Sequence, residues 1–308
     1  MITIQKKRTI ILVTGATGTV GSEVVKQFIS RESLEYSNHH IRAAVHSRNK
    51  SGNIEFRNGM VEITNMDYTK KETISNALDK VDKLFLQTLL IPNMTDLTSD
   101  LIKEAKRNDI KHIVKLSTMG AESDPESTIL RLHKEEEKII EESGIPYTFL
   151  RPNAFMQNFI TQFGHTIRTQ GSFYAPAADS KLGFVDARDV ATIAVKTLMS
   201  YSGTIGSQHV NKAYEITGGD MLSYSQAAEI LSMEAGKRIS YKNVSEEDAR
   251  KGMRLMKIDD WFVNIVLELF RKIRGGYGSQ ITATVEQIIG RKPISFGQFA
   301  KYYSKFFS

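Results

Sequence analysis

The sequence predicts a doubly wound α/β protein: a parallel sheet flanked by helices, with a smaller, mainly helical C-terminal part. Three observations carry this. Residues 8–14 (RTIILVT) form a continuous apolar, β-branched run of the kind a strand buried on both faces requires. Glycines follow at 15, 18 and 21, and Val20, Val24, Val25, Phe28 and Ile29 then fall at helical spacing. Beyond them, strand-length apolar runs alternate with amphipathic stretches to residue 151, the pattern that right-handed βαβ crossovers generate.

In chain order, the later strands are expected at 40–45 (HIRAAV), 61–64 (VEIT), 83–88 (KLFLQT), 112–118 (HIVKLST) and 147–151 (YTFLR), with helices near 70–80, 95–108 and 126–143 between them. After Pro152 the alternation loosens. Residues 154–168 read as a helix, and 171–191 as a loop and short strand leading into a helix through Thr192 to Met199, capped by Asp186 or Asp189. Residues 213–217 (AYEIT) read as a strand. Helices are expected at 223–236, 245–257 and 259–274 and, past Gly275-Gly276, at 280–290 and 295–307. Residues 1–153 thus form the nucleotide-binding domain, 183–218 return to it, and 154–182 with 219–308 form a smaller substrate or cap part.

Composition narrows the chemistry. The 308 residues include no cysteine, which excludes a disulfide framework, a thiol nucleophile, an iron–sulfur cluster and a cysteine zinc site, and suits a cytoplasmic protein. Lys6, Lys7 and Arg8 precede an apolar run that stops at Thr14-Gly15, too short for a signal sequence. No stretch approaches the roughly 20 apolar residues of a membrane span, so a soluble protein without a membrane partner is expected. Lys and Arg number 41 against 35 Asp and Glu, a formal charge of +6. The excess sits in the C-terminal quarter, on Arg250, Lys251, Arg254, Lys257, Arg271, Lys272 and Arg274. These fall on helices that also carry Met253, Leu255, Met256, Val263, Ile265 and Leu269, so a solvated basic face is the ordinary explanation. Nucleic acid is not an expected partner; an acidic substrate or partner is the alternative.

The glycine triplet carries the binding chemistry. Gly15 permits a tight turn off the strand, Gly18 lets backbone approach a pyrophosphate, and Gly21 lets the helix pack against the sheet. The helix N-terminus then offers unpaired N–H groups to phosphate. With Thr17, Thr19 and Val20 this is a Rossmann-type dinucleotide turn, not a P-loop, because no Lys-Ser/Thr pair follows the last glycine. Specificity between nicotinamide cofactors rests on the end of the second strand, where an acid would bond the ribose 2′-hydroxyl of NAD. No Asp or Glu occurs between Glu35 and Glu55, and His46, Ser47, Arg48 and Lys50 stand there instead. NADP(H) is therefore preferred, with NAD(H) the second option; the alternative is that Arg48 and Lys50 are solvated loop charges.

Ligands of open α/β sheets sit outside the carboxyl ends of the strands. That assigns Asp67 and Tyr68 to the adenine, Gln87, Thr88 and Leu89 to the ribose and pyrophosphate, and Ser117, Thr118 and Met119 to the nicotinamide. Pro152, Asn153, Ala154 and Phe155 complete the cofactor set. Asp67 has a second explanation, as a cap of the following helix. No metal site is expected, since the 7 histidines show neither HxH nor HxxxH spacing.

VTGATGTVG, the strand-end Thr88, KHIVKLSTMGAE (111–122), HKEEEKIIEESGIPYTFLRPNAFMQNF (133–159), FVDARDVA (184–191) and the tail from 273 to 303 together resemble the NmrA-like branch of atypical short-chain dehydrogenases/reductases. The resemblance runs nearly end to end. It implies a Rossmann fold and NADP(H). The branch includes NADPH-dependent quinone reductases, triphenylmethane dye reductases and isoflavone-reductase-like enzymes, and also NADP(H)-sensing regulators that dock a protein partner. Relatives commonly carry Arg directly after the second strand, where this chain has His46. The Tyr-x-x-x-Lys of standard short-chain dehydrogenases is absent, since none of the 11 tyrosines is followed by Lys at +4.

The helix at 126–143 offers a substitute. At 100° per residue His133, Glu136 and Glu137 share the inward arc with Ile129, Leu130, Leu132, Ile139 and Ile140, while Lys134 and Lys138 point outward. His133 and Glu137, at i and i+4, are the candidate catalytic pair: a carboxylate one turn away favours an imidazolium that donates a proton as hydride arrives. In isoflavone-reductase-like relatives a catalytic Lys stands at what looks like this position. A hydrogen-bonded core histidine is the alternative reading. Met119, Phe155, Met156, Asn158 and Tyr174 are the candidate walls of an apolar substrate slot, whereas Phe159 and Phe163 are read as core. The leading expectation is reduction of quinones or similar electrophilic aromatics, and the second is an NADP(H)-sensing regulator with a protein partner.

Overall fold

The β-branched runs become strands at the expected places: β1 (Thr9–Val13), β2 (His39–Val45), β3 (Val61–Asn65), β4 (Lys83–Leu86), β5 (His112–Leu116) and β6 (Tyr147–Pro152). Between them lie α1 (Thr19–Ser30), α2 (Lys71–Leu78), α3 (Met94–Arg107) and α4 (Thr128–Ser143). The computed structural model describes residues 8–30, 39–46, 61–122, 127–200 and 208–308. Those residues form a seven-stranded sheet of order β3-β2-β1-β4-β5-β6-β9, with β9 (Lys212–Ile216) at its edge. Every pair from β3 to β6 is parallel. Asn211 N–H donates to Tyr147 O at 2.7 Å and Asn153 N–H to Ile216 O at 2.9 Å, so β9 runs in the same sense. The strand order reverses between β1 and β4, which opens a crevice outside their carboxyl ends. This is the doubly wound fold that the sequence predicts.

The described residues group into two compact units. The first takes those within Met1–Ser117, Lys134–Leu150 and Ala191–Tyr214, and the second those within Thr118–His133, Arg151–Val190 and Glu215–Ser308. In the first, Leu12, Leu84, Leu86, Ile113 and Phe149 from the strands pack with Ile74 and Leu78 of α2, Leu101 and Ile102 of α3 and Ile140 of α4. The alternate strand residues Ile11, Val13, Phe85 and Val114 are equally buried, so both faces of the central strands leave water.

The second unit is built from short elements: α5 (Asn158–Thr161), α6 (Gly164–Gln170), β7 (Ser172–Ala175), β8 (Lys181–Leu182), the start of α7 (Ala187–Ser200), β10 (Leu222–Ser223), α8 (Tyr224–Ala235), β11 (Ser240–Asn243), α9 (Glu246–Leu255), α10 (Asp260–Arg274), α11 (Thr284–Ile289), α12 (Phe296–Tyr302) and α13 (Ser304–Phe307). Phe159 sits at the middle of its core, with ring centroids 5.3, 5.5 and 5.1 Å from Phe173, Phe184 and Phe296.

Several expectations are corrected here. No single helix spans 154–168. Ala154 O and Met156 N–H bond to Val185, which holds Phe155 extended in a parallel bridge until α5 begins at Asn158. A break before Gly164 then separates α5 from α6, and the ring of Phe306 lies where a β-carbon at that glycine would go. The helix expected from 280 starts only at Thr284, because Thr282 N–H bonds Thr217 Oγ1 and the Thr282 and Thr284 hydroxyls both bond Glu215 O. The helix expected over 295–307 divides into α12 and α13. Two small sheets, parallel β7–β11 and antiparallel β8–β10, come from runs too short to register as alternation. Of the two candidate caps for α7, Asp186 takes the role, its Oδ1 accepting from Arg188 N–H at 2.8 Å.

Candidate cofactor and catalytic site

Gly15 adopts φ +61°, the left-handed turn that carries the chain off β1. Gly18 N–H bonds back to Gly15 O at 2.8 Å. A β-carbon on Gly21 would stand 2.2 Å from Gly15 O, so only glycine lets α1 approach the strand this closely. Thr17 is exposed at the tip, Thr19 opens α1 and Val20 is buried beneath. Across the turn lies the Gln87 side chain, whose amide atoms sit 3.0–3.2 Å from where β-carbons on Gly15 and Gly18 would be. Gln87 Oε1 is buried and has no hydrogen-bond partner. A glycine turn into a helix N-terminus, with an unpartnered amide oxygen beside it able to accept from a sugar hydroxyl, fits a dinucleotide.

The backbone around Gln87 is fixed. Its N–H donates to Thr14 Oγ1 at 2.8 Å, while its carbonyl accepts from Thr14 Oγ1 at 3.0 Å and from the Tyr68 phenol at 2.7 Å. Burial pushes that phenol well above its ordinary range. Asp67 forms an Asx turn, its Oδ1 accepting from Thr69 N–H and Oγ1 at 2.9 and 2.6 Å, which holds its carboxyl below the usual value despite partial desolvation. Its other oxygen lies 3.8 Å from His46 Nε2 and 3.5 Å from Lys70 Nζ. The first unit thus brings His46 and Asp67 together. Ser47 and Arg48 lie outside the described residues.

At the ends of β4 and β5, Thr88 is half-buried and Leu89 exposed. Ser117 Oγ donates to Glu137 Oε1 at 2.6 Å, with both residues buried. Glu136 and Glu137 are both removed from water, as the helical plot requires. Lys134, which the same plot turns outward, nevertheless reaches back, its Nζ 4.0 Å from Glu137 Oε2. His133 is half-buried on α4, one turn before Glu137.

The other residues singled out in the sequence lie in the second unit. Met119 N–H bonds Pro152 O at 3.0 Å. Asn153 is buried and its amide is spent on the backbone, donating to Gly278 O at 2.8 Å and accepting from Ala154 N–H at 2.7 Å. Phe155 and Asn158 are half-buried, whereas Met119 and Met156 retain only 2% of their surface, and Met156 packs in the Phe159 core. Tyr174 is 43% exposed and bonds Gln170 Oε1. Sequence reasoning missed Tyr277. Its phenol donates to Met119 O at 2.7 Å; burial raises it above the ordinary tyrosine range, and a hydrogen bond with Thr118 works against that shift. Its only sequence signal was a tyrosine inside the glycine-rich break after α10. Among the described residues there is no His, Asp or Glu cluster that could hold a metal ion, and no helix long and apolar enough to cross a membrane.

The NmrA-like family profile matches residues 6–292. The chain belongs to the NmrA-like family. One relative, the NAD(P)H azoreductase of Xenophilus azovorans, is 33% identical over 297 residues, covering 96% of this chain and 99% of the relative. The fold is shared with the NADPH complex of the NADPH-dependent quinone oxidoreductase of Escherichia coli (TM-score 0.79, 24% identity, 96% and 99% coverage). It is shared equally with the NADP(H) complex of triphenylmethane reductase from Citrobacter sp. (TM-score 0.79, 22% identity, 96% and 99% coverage).

Proposed function

We propose that this NmrA-like chain is an NAD(P)H-dependent oxidoreductase, NADP(H)-preferring, that reduces quinones, azo dyes or similar electron-poor aromatics. The observation that carries the reading is the Gly15–Gly18–Gly21 turn with the unpartnered Gln87 amide oxygen across it. The likeness to an azoreductase and the absence of an acid between Glu35 and Glu55 support the substrate class and the cofactor choice respectively.

A bound reduced nicotinamide supplies hydride, and the acceptor takes it up with one proton, so that a quinone becomes a hydroquinone. The chain's own residues do the rest. The glycine turn holds phosphate on backbone N–H groups, and His46, Asp67, Tyr68, Gln87 and Thr88 fix the sugars and adenine. His133 holds the proton for the acceptor, with Glu137 balancing its charge and Ser117 Oγ fixing the carboxylate by its 2.6 Å hydrogen bond. Phe155 and Tyr174 offer ring faces to the wall of the acceptor slot, and Asn158 offers an amide.

The test is NADPH oxidation, followed by its near-ultraviolet absorbance, against panels of quinones, azo dyes and triphenylmethane dyes. Turnover with at least one class is expected, with NADPH outperforming NADH. Tight NADPH binding with no turnover in any panel would overturn the reductase reading in favour of an NADP(H) sensor.

A further inference from the structure

An ion pair removed from water at both ends is an expensive way to fill a core, and an apolar pair of equal volume is often as stable or more so. Lys115 of β5 and Glu136 of α4 form such a pair: Nζ lies 2.9 Å from Oε2, and both side chains have no exposed surface. Nothing in the strand's burial or the helix's amphipathy calls for these two residues.

What they do together is fix a hydroxyl. The Lys115 ammonium has three N–H groups. They reach Glu136, Leu116 O at 2.7 Å and Thr88 Oγ1 at 3.2 Å. Glu136 accepts from Thr98 Oγ1 at 2.5 Å and from Thr88 Oγ1 at 3.0 Å. The Thr88 hydroxyl therefore sends its one proton to Glu136 and gives one lone pair to Lys115. A single lone pair is left, so toward any ligand Thr88 is an acceptor only. Its neighbour Gln87 lies across Gly15 and Gly18, which puts this fixed acceptor at the same strand end as the glycine turn.

We propose that Lys115 and Glu136 are positioning residues that orient Thr88 Oγ1 to accept a hydrogen bond from a sugar hydroxyl of the dinucleotide. Phosphate is excluded as the group received, since its oxygens carry no proton to donate at neutral pH and would face a lone pair. The proposal rests on the cofactor reading given above.

The experiment measures NADPH binding and steady-state kinetics for the wild type, Thr88→Val, Thr88→Ser, the double variant Lys115→Met/Glu136→Leu, and the triple variant that adds Thr88→Val. Thr88→Val and the double variant each weaken NADPH binding about five- to tenfold, the effect of one hydrogen bond, with the loss in KM for NADPH rather than in kcat. Thr88→Ser restores the affinity, and the triple variant binds no more weakly than Thr88→Val. NADPH affinity unchanged in Thr88→Val overturns the proposal, even if the double variant fails to fold. So does a triple variant whose losses add. A wild type that does not bind NADPH overturns the cofactor reading and the proposal together, whereas a wild type that binds while Thr88→Val is unaffected overturns the proposal alone.

Discussion

At the glycine turn, the tolerance for a single methyl group differs from one position to the next. At Gly21 it would meet backbone, 2.2 Å from Gly15 O, so Gly21→Ala is expected to lower stability by about 1–3 kcal/mol in urea unfolding. At Gly18 it would stand 3.2 Å from both the Gln87 amide nitrogen and Gly15 O, so Gly18→Ala should fold and lose NADPH affinity. His133 and Glu137 invite a comparison of acceptors. An azo nitrogen left by hydride addition is far more basic than a hydroquinone oxygen and depends more on a protein acid. His133→Gln and Glu137→Gln should therefore lower kcat for azo dyes by about a hundredfold or more, and for quinones much less. At the opposite end of β5, buried His112 bonds Thr148 Oγ1 at 3.0 Å, and because Thr148 donates its proton to His209 O, His112 Nε2 is the donor. Burial, with the charges of Lys83 and His209, lowers His112 from 6.5 to about 3. The unfolded chain thus binds this proton more readily. Stability from this group is complete above about pH 6.5 and is lost as pH falls toward 3. Urea midpoints against pH should show that slope, and His112→Asn should flatten it.

Among the elements, the aromatic centre of the second unit depends most on one side chain. Phe159 belongs to a helix of four residues, yet three phenylalanine rings close around it within 5.5 Å. Phe159→Ala should cost about 3–5 kcal/mol, read as a fall in the unfolding midpoint. The strands and helices of the first unit were legible because each carries its own periodicity, and so was the inward face of α4 with Glu136 and Glu137. Their partners were not. Ser117 and Thr88 stand 20 and 48 residues from the carboxylates they bond, and no local pattern encodes a meeting over that distance. A lone lysine inside the apolar run HIVKL was the one visible trace of the Lys115 pair. Residues 154–168 misled for the opposite reason. Their four-residue spacing is genuine for Phe159, but the ladder to Val185 outcompetes the helix at Phe155.

On the scale of the whole molecule, the formal +6 is not presented as a bare basic face by the C-terminal helices. Several basic residues of the C-terminal helices face carboxylates: Arg254 lies 2.7 Å from Asp260, Lys251 2.7 Å from Glu247, and Arg271 and Arg274 2.7 and 2.5 Å from Glu246. These exposed pairs add little stability, but each sets a carboxylate beside a cation that would otherwise meet a polyanion's phosphates. Double-stranded DNA should not retain the protein at physiological ionic strength, checked by filter binding across a salt series. The order of the two units along the chain has another outcome, one that falls during synthesis. Because β9 at Lys212–Ile216 is the last strand to join the sheet, the first unit stays incomplete until that stretch has been synthesised. At roughly 5–20 residues per second, the nascent sheet therefore waits several seconds with an open edge at β6. In that interval the unpaired edge of β6 is open to pairing with other chains, a hazard that ends when β9 docks.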